Sequence, residues 1–155
     1  MTHVETFEID AHAPELDAAA LLFDRYRSFY GRASNLGQAK DYLRQRLEAH
    51  ESTVLLARLE GQWVGLCQLY RGFSSISCTP TVILNDLYVA DGQRSNGVGR
   101  ALIAHTVALA RQRGASSVLL ETALTNEGAQ ALYERLGFER QHGFVAYAMA
   151  LNPHE

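Results

Sequence analysis

The chain has 155 residues, of which 47% are hydrophobic. That is enough apolar material for one core and too little for several domains, so a single domain over residues 1–155 is expected. Its 14 basic and 17 acidic residues give a formal charge of -3, which excludes the basic field that a nucleic-acid backbone requires. No apolar run approaches the roughly 18 residues of a membrane span, and the acidic start MTHVETFEID lacks the pattern of a secretion signal. The expectation is a soluble, cytoplasmic protein with neither nucleic acid nor membrane as partner.

In chain order, Val4 to Ile9 alternates weakly, as a short edge strand does, and Ala13-Pro14 ends it. Two helices are predicted next. Asp17 to Tyr30 carries Leu21, Leu22, Tyr26, Phe29 and Tyr30 at helical spacing before Gly31, and Leu36 to His50 carries Leu36, Tyr42, Leu43 and Leu47. The period then changes. Thr53 to Leu59 and Trp63 to Tyr70 read as strands joined by a tight Glu60-Gly61 hairpin, and Thr81 to Val89 follows the polar loop Ser74 to Thr79. After that come a helix over Val98 to Gln112, a buried-type strand over Ser117 to Thr122, a short helix over Gly128 to Leu136 and a closing strand pair ending at Phe144 to Leu151. The pattern is α+β with a mixed sheet.

Thirteen arginines against the single Lys40 favour planar, bidentate recognition of carboxylate or phosphate wherever they converge, although genome composition also enriches Arg. Cys67 and Cys78 form no CxxC pair, so neither a disulfide framework nor a metal site is suggested, and both read as buried or half-buried thiols. His105 reads as a packed residue on its helix, and neither it nor His142 sits in a recognisable site.

The chemistry concentrates in Leu84 to Leu102, LNDLYVADGQRSNGVGRAL, where a strand runs through a glycine-bearing loop into a helix. Such an arrangement suits an anion, because Gly97 and Gly99 allow close backbone approach and the first helical turn presents N–H groups without partners. On the glycines alone, a plain helix start is an equal reading. A Walker loop is excluded by the lack of a nearby lysine, and a dinucleotide fingerprint by Leu102 standing where the third glycine belongs.

Arg94-Ser95-Asn96-Gly97-Val98-Gly99 has the form of an Arg or Gln, two free positions, Gly, one free position, then Gly or Ala. Together with the strand LNDLYV before it and the block NEGAQALYERLGF after it, this stretch resembles the GNAT superfamily of N-acetyltransferases. The resemblance extends from about Val54 to Leu151. The first fifty residues match in pattern only and correspond to the variable substrate side.

The resemblance implies a GNAT-like fold: a central mixed, largely antiparallel sheet with flanking helices and two splayed parallel strands, here Leu84 to Val89 and Ser117 to Thr122. Acetyl-CoA is the implied cosubstrate, with no metal. Backbone groups of Leu87, Tyr88 and Val89 would pair with its pantetheine arm, and an amide near Leu87 or Tyr88 would polarise the thioester carbonyl. The amides of Arg94, Ser95, Asn96, Gly97, Val98 and Gly99, with the charges of Arg94 and Arg100, would hold the pyrophosphate. Asn126 would bond the pantetheine or cap its helix. Tyr133, two turns further on, would be the general acid toward the departing thiolate, or else would pack with Ala129, Leu132 and Leu136.

The base is less defined. Asn85 stands where similar enzymes often carry Glu, leaving the adjacent Asp86, and strand alternation expects the two side chains on opposite faces. Asp86 would act through a water chain, or serve as a structural partner, or the amine would arrive neutral. Neither cysteine has a histidine signal, so direct attack by the amine in a ternary complex is expected. The acceptor is a primary amine, either a small amine, polyamine or aminoglycoside or a protein amine. Tyr26, Phe29, Tyr30, Tyr70 and Phe73 are candidate pocket residues, with Asp24 or Asp86 attracting its cation, and each of them fits core packing as well. A noncatalytic acyl-CoA-binding module on the same fold is the alternative, and the apolar FVAYAMAL segment suggests a homodimer.

Overall fold

The computed structural model describes residues 3–94 and 96–152; Ser95, expected in the anion loop, lies outside the described residues. Contacts gather the chain into two compact units, Met1–Glu121 and Thr122–Glu155. The first contains β1 (Val4–Ile9), α1 (Leu16–Phe29), α2 (Leu36–Glu48), β2 (Ser52–Leu59), β3 (Gln62–Ser74), β4 (Thr79–Val89), α3 (Val98–Gln112) and β5 (Val118–Leu119). The strands lie in the order of their sequence, antiparallel except for the parallel pair β4–β5. This is the mixed, largely antiparallel sheet that the sequence suggests.

Both faces of the central strands are buried. On one face Val54, Leu56, Leu66 and Tyr88 meet Leu16, Ala19, Leu22 and Phe23 of α1 and Ala39, Leu43 and Leu47 of α2. Each fully buried aliphatic side chain there contributes about 1.5–3 kcal/mol. The inward stripes of both helices contain alanines, which allow close approach, while Leu21 and Leu36 are exposed. On the other face α3 lies over β2 and β3. Its Val98 and Leu102 are near Gly65, and its Thr106 Oγ1 is 3.8 Å from Cys67 Sγ. His105 is half-buried, as expected, with Nδ1 2.9 Å from Thr6 Oγ1.

The hairpin between β2 and β3 turns at Glu60 and Gly61, both with positive φ (52° and 77°), a pair that matches strand twist. The next hairpin corrects two expectations. Its strands reach Ser74 and Thr79, so the turn shrinks to residues 75–78. Cys78, read from sequence as buried or half-buried, sits in that turn at φ 54° and is exposed, since a turn residue has no strand neighbour to cover it.

The Thr122–Glu155 unit holds α4 (Glu127–Arg135). The closing strand expected over Phe144 to Leu151 is not formed among the described residues, and Phe144, Tyr147 and Leu151 are 86%, 92% and 89% exposed. Among the described residues of this unit there is no strand to pair with, and a lone extended segment is not stable as a strand.

Gly65 is the position on which α3 depends. A Cβ there would lie 2.6 Å from Val98 Cγ1 and 3.1 Å from Leu102 Cδ1. Gly65→Ala should therefore destabilise the protein by about 1–3 kcal/mol through overpacking, read as a midpoint lowered by roughly 2–4 °C per kcal/mol in a thermal melt. An unchanged melt would show that α3 shifts without penalty.

Candidate functional site

The site region begins where β4 loses one neighbour. β5 pairs with β4 only at Val82↔Val118 and Ile83↔Leu119, whereas the ladder with β3 continues to Val89. The strand expected over Ser117 to Thr122 is thus two residues long. Beyond Ile83, among the described residues, the edge of β4 that faced β5 carries no strand partner.

A register shift accompanies this departure. Leu69 pairs with Leu84 and Gln68 with Asp86, so Asn85 is an extra residue bulged out of β4. The bulge breaks the alternation that was expected to separate Asn85 from Asp86. Asn85 Nδ2 instead lies 3.2 Å from both carboxylate oxygens of Asp86. Gln68 Nε2 donates to Asp86 Oδ2 at 2.8 Å. Asp86 and Gln68 are buried, and Gln68 Oε1 has no hydrogen-bond partner among the described residues. The amide turns this way because a carboxylate needs donors. Sequence reading missed Gln68; its only signal was a polar residue inside an apolar strand.

Asp86 shares a sheet face with Tyr88 and with an aromatic group from the two helices. Tyr26 packs edge-on against Tyr88 (centroids 6.4 Å) and Tyr30 (5.0 Å), and Phe29 against Tyr30 (5.3 Å). Farther along β3, the Tyr70 hydroxyl is 2.6 Å from that of Tyr42, and burial followed by this hydrogen bond pushes the Tyr70 phenol well above its ordinary range. Phe73, expected with these rings, is instead 78% exposed beside the β3–β4 turn. Cys67 is buried on the opposite, α3 face, and burial pushes its thiol up to about 12, so it stays neutral and unreactive.

Of the two readings open for Asp24, a cation attractor or a packed residue, the structure shows the packed one. It is buried and accepts hydrogen bonds from Ser34 Oγ (2.6 Å) and the backbone N–H of Asn35 (2.8 Å). Asn35 in turn caps α2, its side chain accepting from Gln38 N. Asp24 is therefore the tie that fixes the α1–α2 connection.

At the other end of β4 the chain turns through Gly92 (φ 80°) toward α3. Gly97 stands at the N-cap with φ 80°, gives no side-chain cap, and has open space where a Cβ would be. The helix start consequently presents its N–H groups without a covering side chain. Arg94 leans over the Phe29 ring at 5.8 Å with Asp91 3.9 Å away, Asn96 Nδ2 donates to Gln93 Oε1, and Arg100 is exposed. Val98 is buried, anchoring the loop with its side chain. Leu87, Tyr88, Val89 and the described loop residues thus follow one another along β4 and into α3.

In the second unit, Asn126 is the N-cap of α4, its side chain accepting from Ala129 N. Tyr133 is half-buried, with its ring 5.9 Å edge-on from Phe138. Among the described residues no helix is long and apolar enough to cross a membrane.

Comparison with known proteins agrees with this arrangement. The sequence model of the acetyltransferase (GNAT) family matches residues 19–138. The uncharacterized N-acetyltransferase YhfO of Bacillus subtilis (strain 168) is 44% identical over 135 residues, 86% of this chain and 91% of its own. The crystal structure of a probable acetyltransferase is 35% identical with a TM-score of 0.87, covering 95% of this chain and 97% of that one. A second structure, the aminoglycoside N-acetyltransferase AAC(6')-Iy in complex with CoA, shares the fold at 20% identity with a TM-score of 0.76, covering 96% of each chain. The chain belongs to the GNAT acetyltransferase family. Its general chemistry is acyl transfer.

The Asp24 tie yields a pH-dependent prediction. The Ser34 hydrogen bond, then the Asn35 amide, holds its carboxyl below the usual range, so its contribution is complete above the unfolded value near 3.9 and is lost as pH falls through the folded value. Asp24→Asn should cost about 1–3 kcal/mol at pH 7, and the gap from the parent should close as pH drops below about 4. A gap that stays constant down to pH 2 would contradict the tie.

Proposed function

We propose that this protein is an acetyl-CoA-dependent N-acetyltransferase that acts on a primary amine by direct transfer in a ternary complex. What carries the reading is the course of β4. It leaves β5 after Ile83, passes the buried carboxylate of Asp86 and leads to a helix start with no side chain over it. An extended amide-bearing ligand ending in phosphates fits a free strand edge followed by an anion cradle.

In this reading acetyl-CoA supplies an activated acetyl thioester. Backbone groups of Leu87, Tyr88 and Val89 bind the pantetheine amides, and an N–H at Leu87 or Tyr88 stabilises negative charge growing on the thioester oxygen. The amides from Arg94 to Gly99, with the Arg94 and Arg100 guanidiniums, hold the pyrophosphate. The open space at Gly97 is what this binding requires, since a side chain there would stand over the anion. Asn126 contributes its side-chain amide to the pantetheine as well as capping α4.

Asp86, held in one orientation by Gln68 and Asn85, takes a proton from the incoming ammonium through water, since only the neutral amine is a nucleophile. Tyr133 Oη gives its proton to the departing sulfur. The acid assignment at Tyr133 rests on its position in the NEGAQALYERLGF block. The same reading makes residues 1–155 one cytoplasmic acetyltransferase domain that pairs as a homodimer through the exposed apolar segment 144–151.

Tyr133→Phe tests the acid. Thiol release should fall by about 10²-fold or more, the usual worth of a placed general acid, while acetyl-CoA affinity measured by titration calorimetry stays within a factor of two or so. An unchanged rate would remove Tyr133 from the chemistry and favour a noncatalytic acyl-CoA-binding role only if the parent were inactive as well.

A further inference from the structure

A cleft of about 400 Å³ opens where α2 passes into β2, lined by Arg46, His50, Glu51, Tyr70 and Arg71. Its charge is unbalanced. Glu51, the one acid, lies 3.2 Å from Arg46, and Arg46 also stacks over the Tyr42 ring at 5.3 Å. None of the ion pairs among the described residues includes Arg71. The Tyr70 hydroxyl, bonded to that of Tyr42, adds a hydrogen-bonding group. Two arginines and one engaged carboxylate line the cleft, which therefore suits an anion with planar oxygens.

The cleft also stands in register with Asp86. Gln68, which holds Asp86, precedes Tyr70 by two positions on β3. The two share a sheet face and are about 7 Å apart along the strand. Resting on the transfer reading above, in which Asp86 receives the amine, we infer that the cleft receives a carboxylate at the far end of the acceptor. The acceptor is then an amine that also carries a free carboxylate, as a dipeptide does. Polycations such as polyamines are disfavoured by Arg46 and Arg71.

Acceptor libraries test this. With acetyl-CoA saturating, an equimolar dipeptide library with free carboxylates, the same library amidated, and spermidine are compared for thiol release at subsaturating concentration. The parent protein should prefer the free-carboxylate library at least tenfold over either alternative, about the worth of one bidentate charged contact. Arg71→Gln should bring the acid-to-amide ratio close to one, and Arg71→Lys should restore part of it. Equal rates for acid and amide in the parent, a preference that survives Arg71→Gln, or faster turnover of spermidine would each overturn the inference.

If no acceptor releases thiol, the transfer reading fails, and equilibrium dialysis of the two peptide libraries decides the cleft by itself. Retention of the acid library that depends on Arg71 supports it, and equal retention of acid and amide overturns it.

Discussion

The antiparallel ladder between β3 and β4 is the constraint on which the Met1–Glu121 unit depends. It runs from Ser74↔Thr79 to Gly65↔Val89 and slips once, at Asn85. That slip determines which face each later side chain of β4 takes. Leu84 lies opposite Leu69 on the α3 side, while Asp86 and Tyr88 lie opposite Gln68 and Leu66 on the α1–α2 side. Without the extra residue, Asp86 would fall out of step with Gln68. Because the ladder holds β4 on one side, the strand keeps its course after β5 has ended at Leu119.

Two glycines set the helix that follows. Gly65 removes a side chain from β3 so that Val98 and Leu102 can settle onto the strand, and Gly97 takes a left-handed turn that leaves the helix start uncovered. The first positions α3 and the second shapes what its first turn presents. On the opposite face, Asp24 fixes the connection between α1 and α2 through Ser34 and Asn35. The two helices carry Tyr26, Phe29 and the Arg46 side of the cleft, so the tie joins the two elements that bear that surface.

Much of this was legible in the sequence. β1 and α3 have the bounds that their alternation and helical spacing predict, and the Glu60-Gly61 turn is where its composition puts it. The loop into α3 was legible because glycine spacing reports backbone conformation directly. What stayed hidden depends on pairing between strands or on side chains that look alike in a pattern. The bulge at Asn85 leaves no mark on a run of alternating residues. The inward alanines of α1 and α2 carry less apolar signal than the exposed Leu21 and Leu36. FVAYAMAL is as apolar as any strand in the chain, yet strand formation needs a neighbour, and the described residues of its unit offer none. A cation-attracting and a packed Asp24 look alike in sequence, which does not show that Ser34 and the Asn35 amide already occupy its oxygens. That Arg46 and Arg71, 25 positions apart in the chain, line one cleft likewise appears only once α2 and β3 are placed together.

The central claim is that the free edge of β4 and the uncovered start of α3 bind acetyl-CoA, and a thermal melt with and without the ligand tests it most directly. At about 100 times the dissociation constant, acetyl-CoA should add roughly 2.7 kcal/mol, raising the midpoint by about 5–10 °C. NAD and ATP should not reproduce the shift, and Gly97→Glu, which puts a side chain and a like charge over the helix start, should abolish it. A parent protein with no shift in acetyl-CoA, or a Gly97→Glu variant that keeps the full shift, would contradict the claim.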